Sequence, residues 1–254
     1  SVSPPSATVR HGGRWRSRAN TLLTSLAVLA GVWLWPQRSA AAPRWDPITT
    51  EELALKASTI DPQAGAEALF WKVWVTDVVA GEDVASKRDH YVRLKIYTEQ
   101  AAETWKLVRL PVAGQGVRIG DVDARTVEPD GKVVMLDRRT VSSETVSRVH
   151  GKKRMQVSFA LPAVRPGCIV EYRYHEEQDD VLADFEEFPL QLSVPARRVV
   201  YSVKPLQIPG WDVRRLTFHV LAKTGTKNIE GYHVLEAPDM PAFVEEPDMP
   251  SAGQ

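Results

Sequence analysis

Residues 161–177, LPAVRPGCIVEYRYHEE, alternate between two kinds of side chain after a Pro-Gly turn at Pro166 and Gly167. The two sets are Cys168, Val170, Tyr172 and Tyr174 on one side and Ile169, Glu171 and Arg173 on the other. A period of two places these sets on opposite faces of a β-strand. The segment therefore predicts a strand, and it contains the only cysteine of the chain.

Cys168 has two interpretations, a catalytic thiol or a small apolar residue on a sheet face. A nucleophilic thiol needs its pKa lowered by a nearby histidine, a cation or a helix N-terminus. The pattern around Cys168 predicts no helix, and in a regular strand His175 points to the opposite face. The buried apolar interpretation is therefore favoured, and no catalytic residue is predicted.

The composition favours an all-β protein. Eighteen prolines and 15 glycines punctuate many short apolar runs along 254 residues. Short runs with frequent turn signals favour strands joined by turns over a parallel α/β sheet. We therefore expect an all-β fold, an antiparallel β-sandwich with a short N-terminal helix.

The charge of the chain is unevenly distributed. Residues 1–42 hold five of the 32 basic residues and no acid, so 27 basic residues face 32 acidic ones in the remainder. Nucleic-acid binding needs a clustered positive surface, which a mildly acidic remainder does not favour. No nucleic-acid partner is expected.

The first 42 residues have the order of an export signal. Arginines up to Arg18 precede an apolar run from Leu22 to Trp35, and the small residues Ser39 to Ala42 follow. This order is typical of a secretory signal peptide. The run is shorter than the ~20 residues of a membrane-spanning helix, so an inner-membrane anchor through residues 20–36 is the weaker alternative. The sequence predicts a periplasmic or secreted protein.

The rest of the chain divides into three predicted parts. Residues 43–66 are a helical lead-in, because Thr49 and Glu52 have the spacing of a capping box. Residues 67–236 are the β-domain. Residues 237–254, which hold four prolines and four acids, are predicted as a linker.

Alternation and turn signals predict about ten strands in the β-domain. The clearest feature is a hairpin in which 117–127 and 132–136 flank the turn Glu128-Pro129-Asp130-Gly131. Residues 80–89 are polar and are predicted as an exposed loop. The other predicted strands are 70–75, 92–97, 155–161, 168–176, 190–194, 199–204, 213–221 and 232–235.

Several short motifs occur in order between residues 45 and 250. They are WDPIT at 45–49, DP at 61–62, HYVRLKI at 90–96, PDG at 129–131, FALP at 159–162, PGCIVEYRY at 166–174 and MPAF at 240–243. Together they resemble the bacterial domain of unknown function that precedes transglutaminase-like, cysteine-protease-like catalytic domains in exported proteins. The resemblance implies that this chain is a non-catalytic β-sandwich. The catalytic Cys, His and Asp are then expected in a following domain, which is missing from this chain or encoded separately.

Five residues form a candidate ligand or partner surface. They are Trp105, Arg148, Lys152, Lys153 and Arg154. The basic residues surround a glycine and could hold an anionic polymer, although charge runs are usually solvated turns. An exposed tryptophan could stack on a sugar, although core packing is the more economical interpretation.

Metal binding is not expected. The acidic stretch from Glu176 to Glu187 offers oxygen ligands, but its spacing does not match a calcium loop. The six histidines lack the helical spacing of a metal site. No cofactor is predicted either.

Three functions are open at this point. The expected one is a non-catalytic exported β-sandwich that supports, or presents substrate to, a transglutaminase- or protease-like domain in cis or in trans. The alternative is a stand-alone exported module that binds cell-envelope polysaccharide or peptide. A thiol hydrolase using Cys168 is the third and is disfavoured by the expected burial of the thiol.

Overall fold

The computed structural model describes residues 45–80, 83–112, 116–149, 152–182, 188–206, 225–229 and 231–244. The predicted signal segment at 1–42 lies outside these ranges. Within them, no helix is long and apolar enough to cross a membrane. The fold below is that of the compact unit that begins at Pro47.

The described part of the chain is mostly β. The helices are Thr50–Ala54 (α1) and Glu99–Trp105 (α2). The strands are Ala66–Ala80 (β1), Asp83–Ile96 (β2), Leu107–Val112 (β3), Val117–Val127 (β4), Val133–Met135 (β5), Ser142–Val149 (β6), Lys152–Ala160 (β7), Ile169–Asp179 (β8), Ala196–Lys204 (β9), Gly225–Ile229 (β10) and Tyr232–Met240 (β11). The expectation of a β-rich chain with a short N-terminal helix is confirmed.

The strands form two sheets. Eight strands lie in the order β10-β11-β9-β1-β2-β8-β4-β5, and three lie in the order β3-β7-β6. The described pairs are antiparallel except β1 and β9, which run parallel. The expectation of purely antiparallel strands is therefore wrong at this pair. A parallel pair needs a long connection, and alternation along one strand carries no information about the direction of its neighbour.

Two local predictions, the capping box at Thr49 and the turn at Gly131, are confirmed. The Thr49 side chain accepts a hydrogen bond from Glu52 N at 3.2 Å, and Thr49 N donates to Glu52 Oε2 at 2.9 Å, so the capping box is complete. The turn between β4 and β5 has Gly131 at φ +87°, which a residue with a Cβ rarely adopts. Both features depend only on neighbours in sequence.

The predicted loop at 80–89 is wrong. β1 and β2 form one long hairpin, in which β1 runs to Ala80 and β2 resumes at Asp83. Lys87 and Arg88 in β2 pair with glutamates of the neighbouring strand β8, at 3.8 Å and 2.5 Å. The polar residues that suggested a loop are therefore paired across strands.

Other predicted boundaries also shift. The strand predicted at 190–194 is absent, because Leu190, Leu192 and Val194 pack against the core from an irregular segment. β11 extends to Met240, so three of the first four residues of the predicted linker, Ala237, Pro238 and Met240, pair with β9. The strand predicted at 213–221 lies outside the described residues. The sequence pattern does not predict α2, whose seven residues are too few for a clear helical period.

The two sheets contribute to one hydrophobic core. Its members include Val73, Val92, Leu94, Val170 and Tyr172 from the large sheet and Val108, Leu110, Val157 and Phe159 from the small one. The rings of Phe159 and Tyr172 meet edge to face with centroids 5.8 Å apart. Burying each large side chain contributes about 1.5–3 kcal/mol, so the core holds the sheets together.

The large sheet thus has a core face and an outer face. On β8, the core face carries Val170, Tyr172 and Tyr174, as the alternation predicted, and the outer face carries Ile169, Glu171 and Arg173. The lead-in around α1 covers part of the outer face. Its residues Ile48, Leu53 and Leu55 pack against Leu69, Val127 and Ile169.

Candidate functional site

Cys168 is enclosed by the fold, as the sequence predicted. Its exposed fraction is 0%, and it belongs to the hydrophobic core at the start of β8. Burial raises the pKa of the Cys168 thiol, which disfavours the thiolate that nucleophilic chemistry requires. His175 lies on the outer face, where its Nδ1 is 3.0 Å from Asp89 Oδ1. The structure does not bring the thiol and the imidazole together.

The five residues of the predicted ligand surface do not converge. Trp105 ends α2, is partly buried and packs against the core. It precedes Leu107, which lies opposite Ala160 at one end of the β3–β7 pair. Lys153 is seven residues from Ala160 on β7, or about 23 Å along the strand.

The four basic residues lie at the far end of the β6–β7 hairpin. In the backbone register Arg148 is opposite Lys153, and Arg154 is opposite Ser147. The fourth member, Lys152, begins β7 opposite Val149. Their side chains, and the turn at 150–151, lie outside the described residues.

The acidic stretch after residue 175 is mostly the end of a strand. Glu176, Glu177 and Asp179 lie in β8 and pair with cations of adjacent strands, namely Arg88, Lys87 and Arg118. The members at 183–187 lie outside the described residues. Across the described ranges, no group of three or more His, Cys, Asp or Glu could hold a metal ion.

A buried ionic network lies on the outer face beneath the lead-in. Glu171, with 0% exposure, accepts hydrogen bonds from Arg93 Nε at 2.9 Å, Arg125 Nε at 2.6 Å and the Tyr91 hydroxyl. Arg93 also donates to Glu52 Oε2 at 2.9 Å. Charges buried this deeply need such partners, so the network connects β2, β4 and β8 to the lead-in.

Lys95 provides a second attachment for the lead-in. Its ammonium donates to the carbonyl oxygen of Leu53 at 2.7 Å and to that of Gly167 at 2.6 Å. Burial lowers the pKa of Lys95. One side chain therefore ties both α1 and the Pro-Gly turn before Cys168 to the sheet.

A third polar group holds the segment that follows α1. Glu67 is fully buried and accepts from Ser58 Oγ at 2.6 Å, the Tyr97 hydroxyl at 2.9 Å and Arg197 Nε at 2.8 Å. Burial raises the pKa of Tyr97, so the hydroxyl remains a donor. Through Ser58, these contacts hold the segment after α1 against β1.

The core face carries a different kind of polar cluster around His90. The imidazole stacks on Tyr174 with ring centroids 4.2 Å apart, and Trp71 Nε1 donates to His90 Nδ1 at 3.4 Å. His90 Nε2 is buried and lies 4.0 Å from Glu176 Oε2, beyond hydrogen-bond distance. Burial, reinforced by the charge of Arg88, lowers the pKa of His90 to about 3.

The sequence did not point to these clusters. Arg93, Lys95 and Glu171 alternate with apolar residues, which predicts side chains facing water on a half-buried sheet. The one sequence signal for these clusters was the capping box at Thr49 and Glu52. It predicted a short helix before the sheet, and such a helix can pack on one face of the sheet and bury its polar residues.

Comparison with solved structures shows a similar fold within larger chains. A "putative protease" from Parabacteroides distasonis matches with a TM-score of 0.51 and 13% identity, over 74% of this chain and 38% of that one. At this identity the likeness concerns the fold alone. Native leukotriene A4 hydrolase from Saccharomyces cerevisiae matches over 70% of this chain and 28% of that one, at 11% identity; its TM-score of 0.34 does not establish a shared fold. The chain spans well under half of either protein.

Family membership comes from the sequence. No curated protein matches the chain. A family model matches residues 82–234, which are more than half of the chain. The match begins just before β2 and ends within β11. The chain therefore belongs to the family described as a domain of unknown function with a solved structure, DUF3857.

Proposed function

We propose that this chain is a non-catalytic, exported β-sandwich domain that supports a transglutaminase- or protease-like catalytic domain, or presents substrate to it. The observation that carries the proposal is the enclosure of Cys168, at 0% exposure and with a raised thiol pKa. A cysteine in that state does not serve as a nucleophile. Thiol chemistry would then come from a partner domain.

The solved structure with a similar fold supports the accessory role. The match covers 38% of a protein described as a "putative protease", so the fold occurs there as one part of a larger polypeptide. The pattern of residues 1–42 supports export.

Two exposed apolar side chains offer a contact for such a partner. Phe243 and Val244, 45% and 72% exposed, lie three and four residues beyond the end of β11. Their segment is held on the domain, because Phe243 N donates to the carbonyl oxygen of Leu192 at 2.7 Å. Exposed apolar residues on an ordered segment are suited to an interface with a following or separate domain.

The test is a reconstitution with the catalytic domain found in the same gene or beside it. We expect the chain alone to have no thiol-dependent peptidase activity and to raise the kcat/KM of that domain. The double variant Phe243→Ser, Val244→Ser should lose this effect. Val79→Ser, which alters a 59% exposed side chain at the far end of β1, is the matched control. Hydrolysis by the chain alone that disappears in Cys168→Ser would overturn the proposal.

A stand-alone polysaccharide-binding module remains the second candidate. The observation that favours it is a row of aromatic and polar residues on the outer face of the large sheet, formed by Trp74, Asp89, His175 and Gly120.

A further inference from the structure

A row of four residues crosses the outer face beyond the area that the lead-in covers. Trp74 on β1 lies opposite Asp89 on β2, Asp89 opposite His175 on β8, and His175 opposite Gly120 on β4. Residues paired in register point to the same face. With strands about 4.8 Å apart, the row is about 14 Å long.

The row combines an exposed aromatic ring with paired polar groups. Trp74 is 37% exposed, whereas Trp71 on the core face is 7% exposed. Asp89 and His175 hold each other through Oδ1 and Nδ1, and their side chains are 68% and 25% exposed. The second carboxylate oxygen and the second ring nitrogen are not used by that pair, so each can bind a hydroxyl group.

The row also has open space at one end. A Cβ built on Gly120 would meet no heavy atom within 4 Å. A ligand can therefore lie along the row beside His175. The next pair on the same face, Tyr91 and Arg173, packs tightly, because the Arg173 guanidinium stacks 3.8 Å from the centre of the Tyr91 ring. A site on rigid paired strands is held in place before its ligand binds.

The chemistry of this row suits a saccharide better than other polymers. Peptides that bind sheets usually add to an edge strand through its backbone, whereas Trp74, Asp89 and His175 lie on the interior strands β1, β2 and β8. Nucleic acid requires a basic surface, whereas this row contains a carboxylate. A large protein interface needs contiguous apolar surface, and Trp74 is the row's one exposed large apolar side chain.

We propose that the row Trp74, Asp89, His175 and Gly120 is a saccharide-binding surface. The indole provides a flat apolar face for a sugar ring, and the Asp89–His175 pair binds ring hydroxyls. Gly120, on the last strand of the row, leaves room for the polymer to extend past His175. This inference does not depend on the proposed partnership with a catalytic domain.

The experiment uses an array of immobilised tri- to hexasaccharides, followed by titration calorimetry with the strongest binder. We expect Trp74→Ala to weaken binding by at least about tenfold, as truncation of a central aromatic contact does. Trp74→Phe should retain most of the affinity. Gly120→Leu should block the open end and weaken binding as well.

Leu107→Ala, which removes a 37% exposed apolar side chain on the other sheet, is the matched control and should bind normally. Thermal unfolding of each variant checks that it is folded. Absence of binding to every saccharide on the array would overturn the proposal. So would binding that Trp74→Ala and Gly120→Leu, both folded, leave unchanged.

Discussion

The two faces of the large sheet stabilise polar groups in opposite ways. On the outer face Arg93 and Arg125 donate to the two carboxylate oxygens of Glu171, so this buried acid is paired with two cations. On the core face His90 is kept neutral between Trp71 and Tyr174, without a charged hydrogen-bond partner. The same sheet therefore supports a paired charge of β8 on one face and an uncharged imidazole of β2 on the other.

This difference shows what each face does for the domain. The outer network joins three strands to the lead-in, so breaking it leaves buried charges unpaired. The His90 cluster consists of stacked rings on the core face. Its stability therefore depends on the imidazole staying neutral and not on a paired charge. The two faces should respond to different perturbations.

The largest expected effect is on the outer face. Glu171→Gln removes the shared partner of two arginines and should lower the free energy of unfolding by about 3–5 kcal/mol. Urea unfolding measures this loss. Glu177→Gln, which alters a 27% exposed side chain six residues further along the same face of β8, should cost less than about 1 kcal/mol. Equal losses for the two variants would contradict the network's role.

The core face should respond to pH. The pKa of His90 is about 3 in the folded protein and 6.5 when unfolded, so below pH 6.5 the unfolded state binds a proton that the folded state excludes. The free energy of unfolding should therefore fall by about 1.4 kcal/mol per pH unit from this residue as pH decreases from 6.5 toward 3. This contribution is fully present above pH 6.5.

Urea unfolding at pH 7 and pH 5 measures the effect. His90→Phe keeps a stacked ring but cannot bind a proton. In this variant the difference in the free energy of unfolding between pH 7 and pH 5 should be smaller by about 2 kcal/mol. An unchanged difference would show that His90 is already protonated or is accessible to water in the folded state.

The smallest effect should be confined to the lead-in. Thr49→Ala removes the cap of α1 and should cost about 1 kcal/mol. Amide hydrogen exchange should then accelerate in residues 47–60 and remain slow in β2 and β8. Thr49→Asp, which preserves the capping acceptor, should restore protection. Faster exchange throughout the sheet would show that the lead-in is inseparable from the fold.

Features encoded by near neighbours could be predicted from the sequence. The capping box at Thr49 and Glu52, the turn at Gly131 and the two faces of β8 all follow from spacing within a few residues. The burial of Cys168 also follows from its place in the alternation.

Features that join distant residues could not be predicted in this way. Arg93 and Glu171 are 78 residues apart in sequence, so their alternation with apolar residues indicated exposure to water. The parallel pairing of β1 and β9, and the extension of β2 through a polar stretch, likewise depend on the neighbouring strand. The row at Trp74 appears only when four strands are aligned in register.

The most direct test of the account is the alkylation of Cys168 by iodoacetamide. If the thiol is a core residue, labelling of the folded protein should be limited by unfolding and should accelerate when Glu171→Gln destabilises the sheet. In urea the same thiol should react at once. Rapid labelling of the folded wild-type protein under native conditions would contradict the claim that this domain has no catalytic thiol.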